Sequence, residues 1–400
     1  MNSGNNIHVA IPAMNEAEFL PTVLECLFNQ QLVSHELHVW ICVNQPDQWW
    51  DDPSRRSTCL NNQQTLSFLH QLKHQTGHGR SLHVIDRSSR GKGWEGKGQG
   101  VGMARKLLMD RIAQETLAAS KKQGVYPNDG KQDLIVSLDA DTTFEPAYLQ
   151  SVARLFQTHP TAIALSNPYY HRLSGEEDLD RAMLRYEIYM RHYAINMWRI
   201  GSPYSFTALG SAITLPVRHY LRIGGMTAKK SGEDFYLLQK LRKTGWIMNY
   251  NAEKVFPGNR YSDRVFFGTG PALIKGSKGD WSSYPIYDHR LFDLVGQTYQ
   301  LFPALYETNL KTPMTEFLSR QFRCTDVFEA LRENAASRGQ FVKACHHKVD
   351  ALRVLQFLKS AQSAIPHSDE ENLKGSLKAC YPAFFTPAAA RREGLSGGKN

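Results

Sequence analysis

Two aspartates one residue apart, Asp139 and Asp141, follow an apolar run in the stretch DLIVSLDADTTFEP. The run at 134–138 contains β-branched residues and suits a buried strand. Side chains at i and i+2 of an extended backbone point to the same side. Two carboxylates so placed repel each other unless positive charge stands between them. A divalent cation carrying phosphate oxygens supplies that charge, because hard cations take oxygen ligands. A solvated turn before a helix opening at Glu145 and Pro146 is the other reading.

Two further stretches carry chemical potential. The segment SSRGKGWEGKGQGVGMARK places Gly91, Gly93 and Gly96 in a GxGxxG spacing. Residues 91–98 also fit GxxxxGK, but Gly98 stands where a P-loop needs a hydroxyl for Mg²⁺. The loop follows the third expected strand, whereas a dinucleotide fingerprint follows the first. A basic loop entering a helix remains, in which backbone amides, Lys92, Lys97 and Arg105 meet a diphosphate or simply face water. The segment Ser231-Gly232-Glu233-Asp234 precedes an apolar helical pattern. Ser231 with Asp234 reads as a capping box. A carboxylate at that position also suits a general base.

The elements that must position these residues are legible from periodicity. Strands are expected at 7–11, 37–43, 82–86, 133–138 and 162–166, with helices at 17–30, 61–74, 103–119 and 147–158 between them. That alternation is the pattern of an α/β sheet with mostly parallel strands. A strand at 208–215, short helices at 216–223 and 231–245, and an extended stretch at 246–256 follow. The helix at 178–199 is rich in Tyr, Met and Arg. It fits a core helix with a solvated flank, or an interfacial helix touching a membrane. From 313 to 360 the chain reads as helices alone.

Composition sets the bounds. The 400 residues are 42% hydrophobic and 21% charged, as in an ordinary globular protein with room for a sizeable core. The net charge of +9 favours anionic partners without choosing among them. Six scattered cysteines, with no CxxC pair, argue against a zinc module or a disulfide framework. No apolar run reaches the roughly 18 residues a spanning helix needs. These features point to a cytoplasmic protein, with peripheral contact at the inner face of a membrane left open.

The order of the stretches resembles glycosyltransferase family 2, of the GT-A fold. The IPxxNE-like turn is Ile11 to Glu16, the GKG loop is Gly91-Lys92-Gly93, and the DxD is Asp139-Ala140-Asp141. The small-residue loop is Leu209-Gly210-Ser211-Ala212, and the ED pair is Glu233-Asp234. The resemblance covers roughly residues 5–256. It implies a mixed, mostly parallel sheet flanked by helices and a metal-dependent, inverting transfer of sugar from a nucleoside-diphosphate donor to an acceptor hydroxyl. It places the donor on Pro12, Ala13, Asn15, Glu16, Asn44, Lys92, Lys97, Arg105, Asp139 and Gly210. Mn²⁺ or Mg²⁺ falls to Asp139, Asp141 and a late histidine, His289, and catalysis to Asp234 with Glu233. Arg260 and Arg264 are candidates to fold over the donor. Where many members carry Asp at the end of the second strand, this chain has Asn44. No QxxRW-type stretch is present, which argues against processive synthesis.

The expected organisation is a transferase domain at 1–290, a helical C-terminal extension at 291–365, and a polar tail at 366–400 expected to be disordered. The acceptor is a small molecule, a lipid-linked sugar or a glycan. A nucleotide-sugar binding protein and a nucleotidyltransferase share the same type of sheet, but the latter usually places a GxGxR-type loop where this chain has PAMNE. A P-loop ATPase or a nucleic-acid binder using the Gly/Lys loop is the remaining class.

Overall fold

The first strand, β1 (Asn5–Ala13), lacks a solvent face: Ile7, Val9, Ala10, Ile11 and Ala13 are all buried. Such a strand needs cover on both sides, as an inner strand of a helix-flanked sheet has. In the computed structural model, which describes residues 5–73, 79–96, 100–123, 132–229, 232–262, 268–365 and 368–380, β1 takes that place. The chain divides into two compact units, 1–184 with 206–280 and 185–205 with 281–400.

In the first unit, β1 is followed by α1 (Leu20–Phe28), β2 (His35–Asn44), α2 (Arg56–Lys73), β3 (Arg80–Arg87) and α3 (Val101–Gln123). Next come β4 (Leu134–Ser137), β5 (Thr143–Phe144), α4 (Tyr148–Thr158) and β6 (Ala164–Ser166). Helix α5 (Glu177–Arg199) contains the boundary between the units. Then follow β7 (Ile213–Pro216), α6 (Val217–Arg222), α7 (Glu233–Arg242), β8 (Ile247–Met248), β9 (Val255–Phe256) and α8 (Thr269–Gly276). The sheet order is β3-β2-β1-β4-β7-β6-β8. Strands β3, β2, β1 and β4 run parallel, and β7 runs antiparallel to both β4 and β6. Strands β5 and β9 form a separate antiparallel ribbon. This is the mixed, mostly parallel sheet expected from the sequence.

The second unit is helical: α9 (His289–Leu301), α10 (Pro313–Phe322), α11 (Glu329–Asn334), α12 (Arg338–Lys348), α13 (Ala351–Gln362) and α14 (Asp369–Cys380). Phe292, Phe302, Phe328 and Phe341 are fully buried within it. The side chains of Asp288, Thr312, Ser337 and Asp350 cap α9, α10, α12 and α13, satisfying amides that lack a partner in the first turn. Helix α14 forms where the sequence suggested a disordered tail from 366. Asp369 anchors it, accepting from the Ile286 amide and pairing with Arg185. In α5, Met183, Tyr186, Met190 and Met197 are buried, while Leu184, Ile188, Ile195 and Trp198 face outward. Among the described residues no helix is long and apolar enough to cross a membrane. Of the six cysteines, all free, Cys42, Cys59 and Cys345 are buried.

One sheet face carries a histidine cluster. In-register pairing of β1 and β2 sets His8 beside His38, their rings 4.8 Å apart. Trp40 stacks on His83 at 3.8 Å, and the Ser81 hydroxyl lies 2.6 Å from His38 Nδ1 and 3.0 Å from His83 Nε2. Burial, with the neighbouring histidines second, lowers His38 and His83 to about 4. Their unfolded-state value is near 6.5. The unfolded chain therefore binds more protons between those limits, and stability is lost as pH falls from about 6.5 toward 4. Urea unfolding followed from pH 7 to pH 5 should show a falling midpoint. The fall should be smaller in the His38→Gln/His83→Gln variant.

Candidate functional site

Parallel β1, β2 and β4 all end at one edge of the sheet, which is where open α/β sheets bind ligands. Ala13, Asn44 and, just past β4, Asp139 lie there. Antiparallel β7 begins at the same edge, since Ile213 pairs with Ser137. The turn at Gly210–Ala212 is thereby delivered beside the aspartates.

Arg105, on the second turn of α3, gathers this edge. It is 2% exposed. Its Nε donates to Glu233 Oε1 at 3.1 Å, Nη2 to Asp139 Oδ1 at 2.7 Å, and Nη1 to the Gly210 carbonyl at 3.0 Å and to the Ser137 hydroxyl. Ser137 Oγ in turn donates to the Gly210 carbonyl at 2.7 Å. A buried guanidinium is tolerated only with anions and acceptors around it. Burial alone lowers its pKa, and Asp139 and Glu233 more than reverse that effect. A Cβ at residue 210 would stand 2.6 Å from Arg105 Nη2, so glycine there lets the guanidinium keep its place.

Glu233 and Asp234 open α7, with Gly232 at the N-cap in a left-handed conformation and no side-chain cap. Ser231, the expected capping hydroxyl, lies outside the described residues. Glu233 is spent on Arg105. Asp234 Oδ1 accepts from the Phe235 amide at 2.7 Å. Burial, then the charges of Glu233 and Asp139, push the Asp234 carboxyl up to about 7 against the pull of Arg105. The paired acids of the sequence thus play different parts.

Asp141 belongs to a second ion cluster. Arg260 donates to Asp141 Oδ2 from Nη2 at 2.7 Å and Nε at 3.1 Å, and to both oxygens of Glu16 at 2.7 Å. Its guanidinium also lies 4.1 Å from the centre of the Phe19 ring. Gly258 closes in from the same segment, where a Cβ would stand 3.0 Å from the Asp141 carboxyl. Burial raises the Asp141 pKa, Arg260 opposes that rise, and Asp139 adds to it.

The turn after β1 is pinned by residues the sequence reading passed over. Exposed Asn15 adopts a left-handed backbone, φ 60°. Its amide donates to Asn62 Oδ1 at 2.8 Å, and the Ala17 amide donates to Asn61 Oδ1 at 3.1 Å. Asn62 Nδ2 continues to Gln45 Oε1 at 2.8 Å. Asn44 donates to the Ala13 carbonyl at 3.0 Å and accepts from Trp94 Nε1 at 3.2 Å, tying strand ends to the glycine loop. The adjacent amides of Asn61 and Asn62 within an otherwise polar helix were the available signal.

The Gly/Lys loop differs from expectation. Amides of Gly91 and Gly93 donate to Asp47 Oδ1 at 2.8 and 3.1 Å, so a side chain already takes the anion's part. Lys92 is held by Asp86 at 3.0 Å. Asp86 also accepts the Ser88 and Ser89 amides, and these bonds hold its carboxyl down at about 2 against burial, the largest opposing cause. Lys97 and Arg264 lie outside the described residues. His289 is the first residue of α9 in the second unit, its Nδ1 3.5 Å from Asp288. Among the described residues no three His, Cys, Asp or Glu side chains gather as a metal-holding group. Asp139 and Asp141 do offer hard oxygen donors, and each already holds a guanidinium as a stand-in cation.

Residues 5–269 match the family model described as glycosyltransferase like family 2. Comparison with curated protein sequences gives no match. Solved structures with a similar chain path include S. aureus TarS 1–349 in complex with UDP-GlcNAc, at 11% identity and a TM-score of 0.40, covering 94% of this chain and 92% of that one. M. tuberculosis glucosyl-3-phosphoglycerate synthase with Mn²⁺, UDP-glucose and phosphoglyceric acid follows at 14% identity and 0.34, covering 70% and 79%. The Pyrobaculum calidifontis mannosyltransferase PcManGT with GDP-Man and Mn²⁺ stands at 11% and 0.38, covering 97% and 82%.

Contacts at the sheet edge converge on Arg105, so its removal strands Glu233 as an unpaired buried charge. Arg105→Leu should lower unfolding free energy by about 3–5 kcal/mol in urea titrations.

Proposed function

The chain belongs to glycosyltransferase-like family 2, and on that premise we propose that it moves a sugar from a nucleoside-diphosphate donor to an acceptor hydroxyl by one inverting displacement, with Asp234 as base. The observation that carries this reading is the Arg105 junction. It fixes Asp139, at the end of β4, and Glu233, at the start of α7, on one guanidinium, while the next carboxylate, Asp234, forms no ion pair with Arg105 or Arg260.

The acceptor oxygen attacks the anomeric carbon from the face opposite the diphosphate. The bond from that carbon to the phosphate oxygen breaks, and the leaving group departs with the electron pair. The hydroxyl proton passes to Asp234. Attack from the far side inverts the anomeric configuration, and an oxocarbenium-like transition state asks chiefly for leaving-group stabilisation and one positioned base. A base with a pKa near the working pH combines a useful ionised fraction with proton affinity.

Pro12, Ala13, Asn15 and Glu16 would frame the base and ribose. Asn44 acts through the loop by fixing Trp94 and Ala13. A divalent cation, Mn²⁺ or Mg²⁺, held by Asp139 and Asp141 would supply Lewis-acid stabilisation of the leaving diphosphate. The excess of carboxylates at this edge favours a donor accompanied by such a cation. Lys92, committed to Asp86, holds the loop's shape.

Transfer measured against pH should rise as the Asp234 carboxyl ionises near 7 and level off above it. Asp234→Asn should lower kcat by about 10²–10⁴-fold, while donor affinity measured by calorimetry stays within a few-fold. Transfer at the parental rate would make Asp234 a helix-terminus residue only, in a protein that holds the donor without a base at this position.

A further inference from the structure

The two guanidiniums at the site are built differently. Arg105 is 2% exposed and bonds to a hydroxyl and a carbonyl as well as to two carboxylates, which fixes it in the fold. Arg260 is 21% exposed, and among the described residues its hydrogen bonds go to carboxylate oxygens, those of Glu16 and Asp141. It sits between β9 and α8 on residues with no regular secondary structure. A side chain held by two carboxylates and the face of the Phe19 ring, on irregular backbone, exchanges its anionic partners when another anion and another cation appear.

The charge inventory says what those partners are. Five carboxylates, Glu16, Asp139, Asp141, Glu233 and Asp234, face two guanidiniums, Arg105 and Arg260, among the described residues of the two clusters. A bare diphosphate would add negative charge to an acidic site. A bare cation would find Asp141 Oδ2 already carrying a positive charge at 2.7 Å. Both together allow an exchange without a stranded charge at Asp141: the cation replaces the guanidinium there, and the fork of Arg260 turns to phosphate oxygens, which it fits as well as it fits a carboxylate.

We infer that Arg260 is a displaceable counter-ion that keeps a divalent cation off Asp141 until a nucleoside diphosphate arrives with it. The inference rests on the assignment of Asp139 and Asp141 to the cation made under the proposed function. It couples metal and donor binding through one side chain of this chain. It also accounts for the shape of the Arg260 cluster, since Glu16 serves as the holding point that keeps the guanidinium near the site.

The test is Mn²⁺ binding, read by the paramagnetic resonance signal of free Mn²⁺, with and without saturating UDP or GDP. In the parental protein, Mn²⁺ alone should bind weakly, and one of the two nucleotides should tighten it by about 5–150-fold, the usual span of coupling between sites. Arg260→Gln should bind Mn²⁺ alone more tightly than the parent and show less tightening by nucleotide. Arg260→Lys, which keeps the charge, should stay close to the parent, separating charge from loss of packing on Phe19. Equal Mn²⁺ affinity of the parent and Arg260→Gln, without nucleotide, would overturn the inference while leaving the cation site standing. Absence of Mn²⁺ binding in both proteins, with either nucleotide present, would instead remove the cation assignment on which it depends.

Discussion

A guanidinium buried at the edge of a sheet is the constraint from which this site is built. Arg105 is almost without solvent, so each donor direction must end on an acceptor or an anion. Those acceptors are four residues from three places far apart in sequence: Ser137 and Asp139 at the end of β4 and just past it, Gly210 before β7, and Glu233 at the start of α7. Satisfying one residue of α3 therefore brings the end of a strand, a small-residue turn and the start of a helix together. Glycine at 210 is part of that constraint, since any side chain would displace the fork. So is glycine at 102, where a Cβ would stand 2.1 Å from the Lys229 carbonyl, on the approach to α7.

The loop beside this edge is ordered by carboxylates of the chain itself. Asp47 fills the amide pair of Gly91 and Gly93, and Asp86 fills those of Ser88 and Ser89 while holding Lys92. Glycine-rich segments have high conformational freedom, and ordering them at the moment of binding costs affinity. Here two carboxylates do the ordering beforehand. The same ordering appears at the first turn, where Asn61, Asn62 and Gln45 pin the segment around a left-handed Asn15.

Much of this was legible in the sequence because the underlying signals are local. Apolar runs gave β1, β2, β3 and β4 within a few residues, and helical spacing gave α1, α3, α4 and α5. The order of short motifs along them indicated the family. The antiparallel β7 was readable as a strand but not as a neighbour of β4, since pairing partners leave no trace in one sequence. The partners of the charged groups were also hidden. Nothing in the spacing tells that Arg105 meets Glu233, 128 positions on, or that Arg260 meets Glu16, 244 positions back. The Gly/Lys loop misled for a related reason. Its composition advertises an anion site, and the amides of Gly91 and Gly93 are taken by Asp47, the first residue of a short 3-10 helix after β2. The helix α14 was missed because its polar residues give a weak periodic signal, and its anchor is the pairing of Asp369 with Arg185 and Ile286.

The division of labour between Glu233 and Asp234 shows why a pair of adjacent acids is worth more than either alone. Both stand in the first turn of α7, where the helix dipole favours negative charge. One faces Arg105 and is neutralised by it at 3.1 Å. The other has a single amide for company, in a place where burial disfavours charge and where the first acid and Asp139 repel it. Two like groups, adjacent in sequence, thus end in different states: one is spent on the Arg105 pair, and the other is a buried carboxyl pushed up to about 7. Burial is the largest cause of the raised Asp234 carboxyl, and the neighbouring ion pair adjusts it in both directions, Glu233 adding to the rise and Arg105 opposing it.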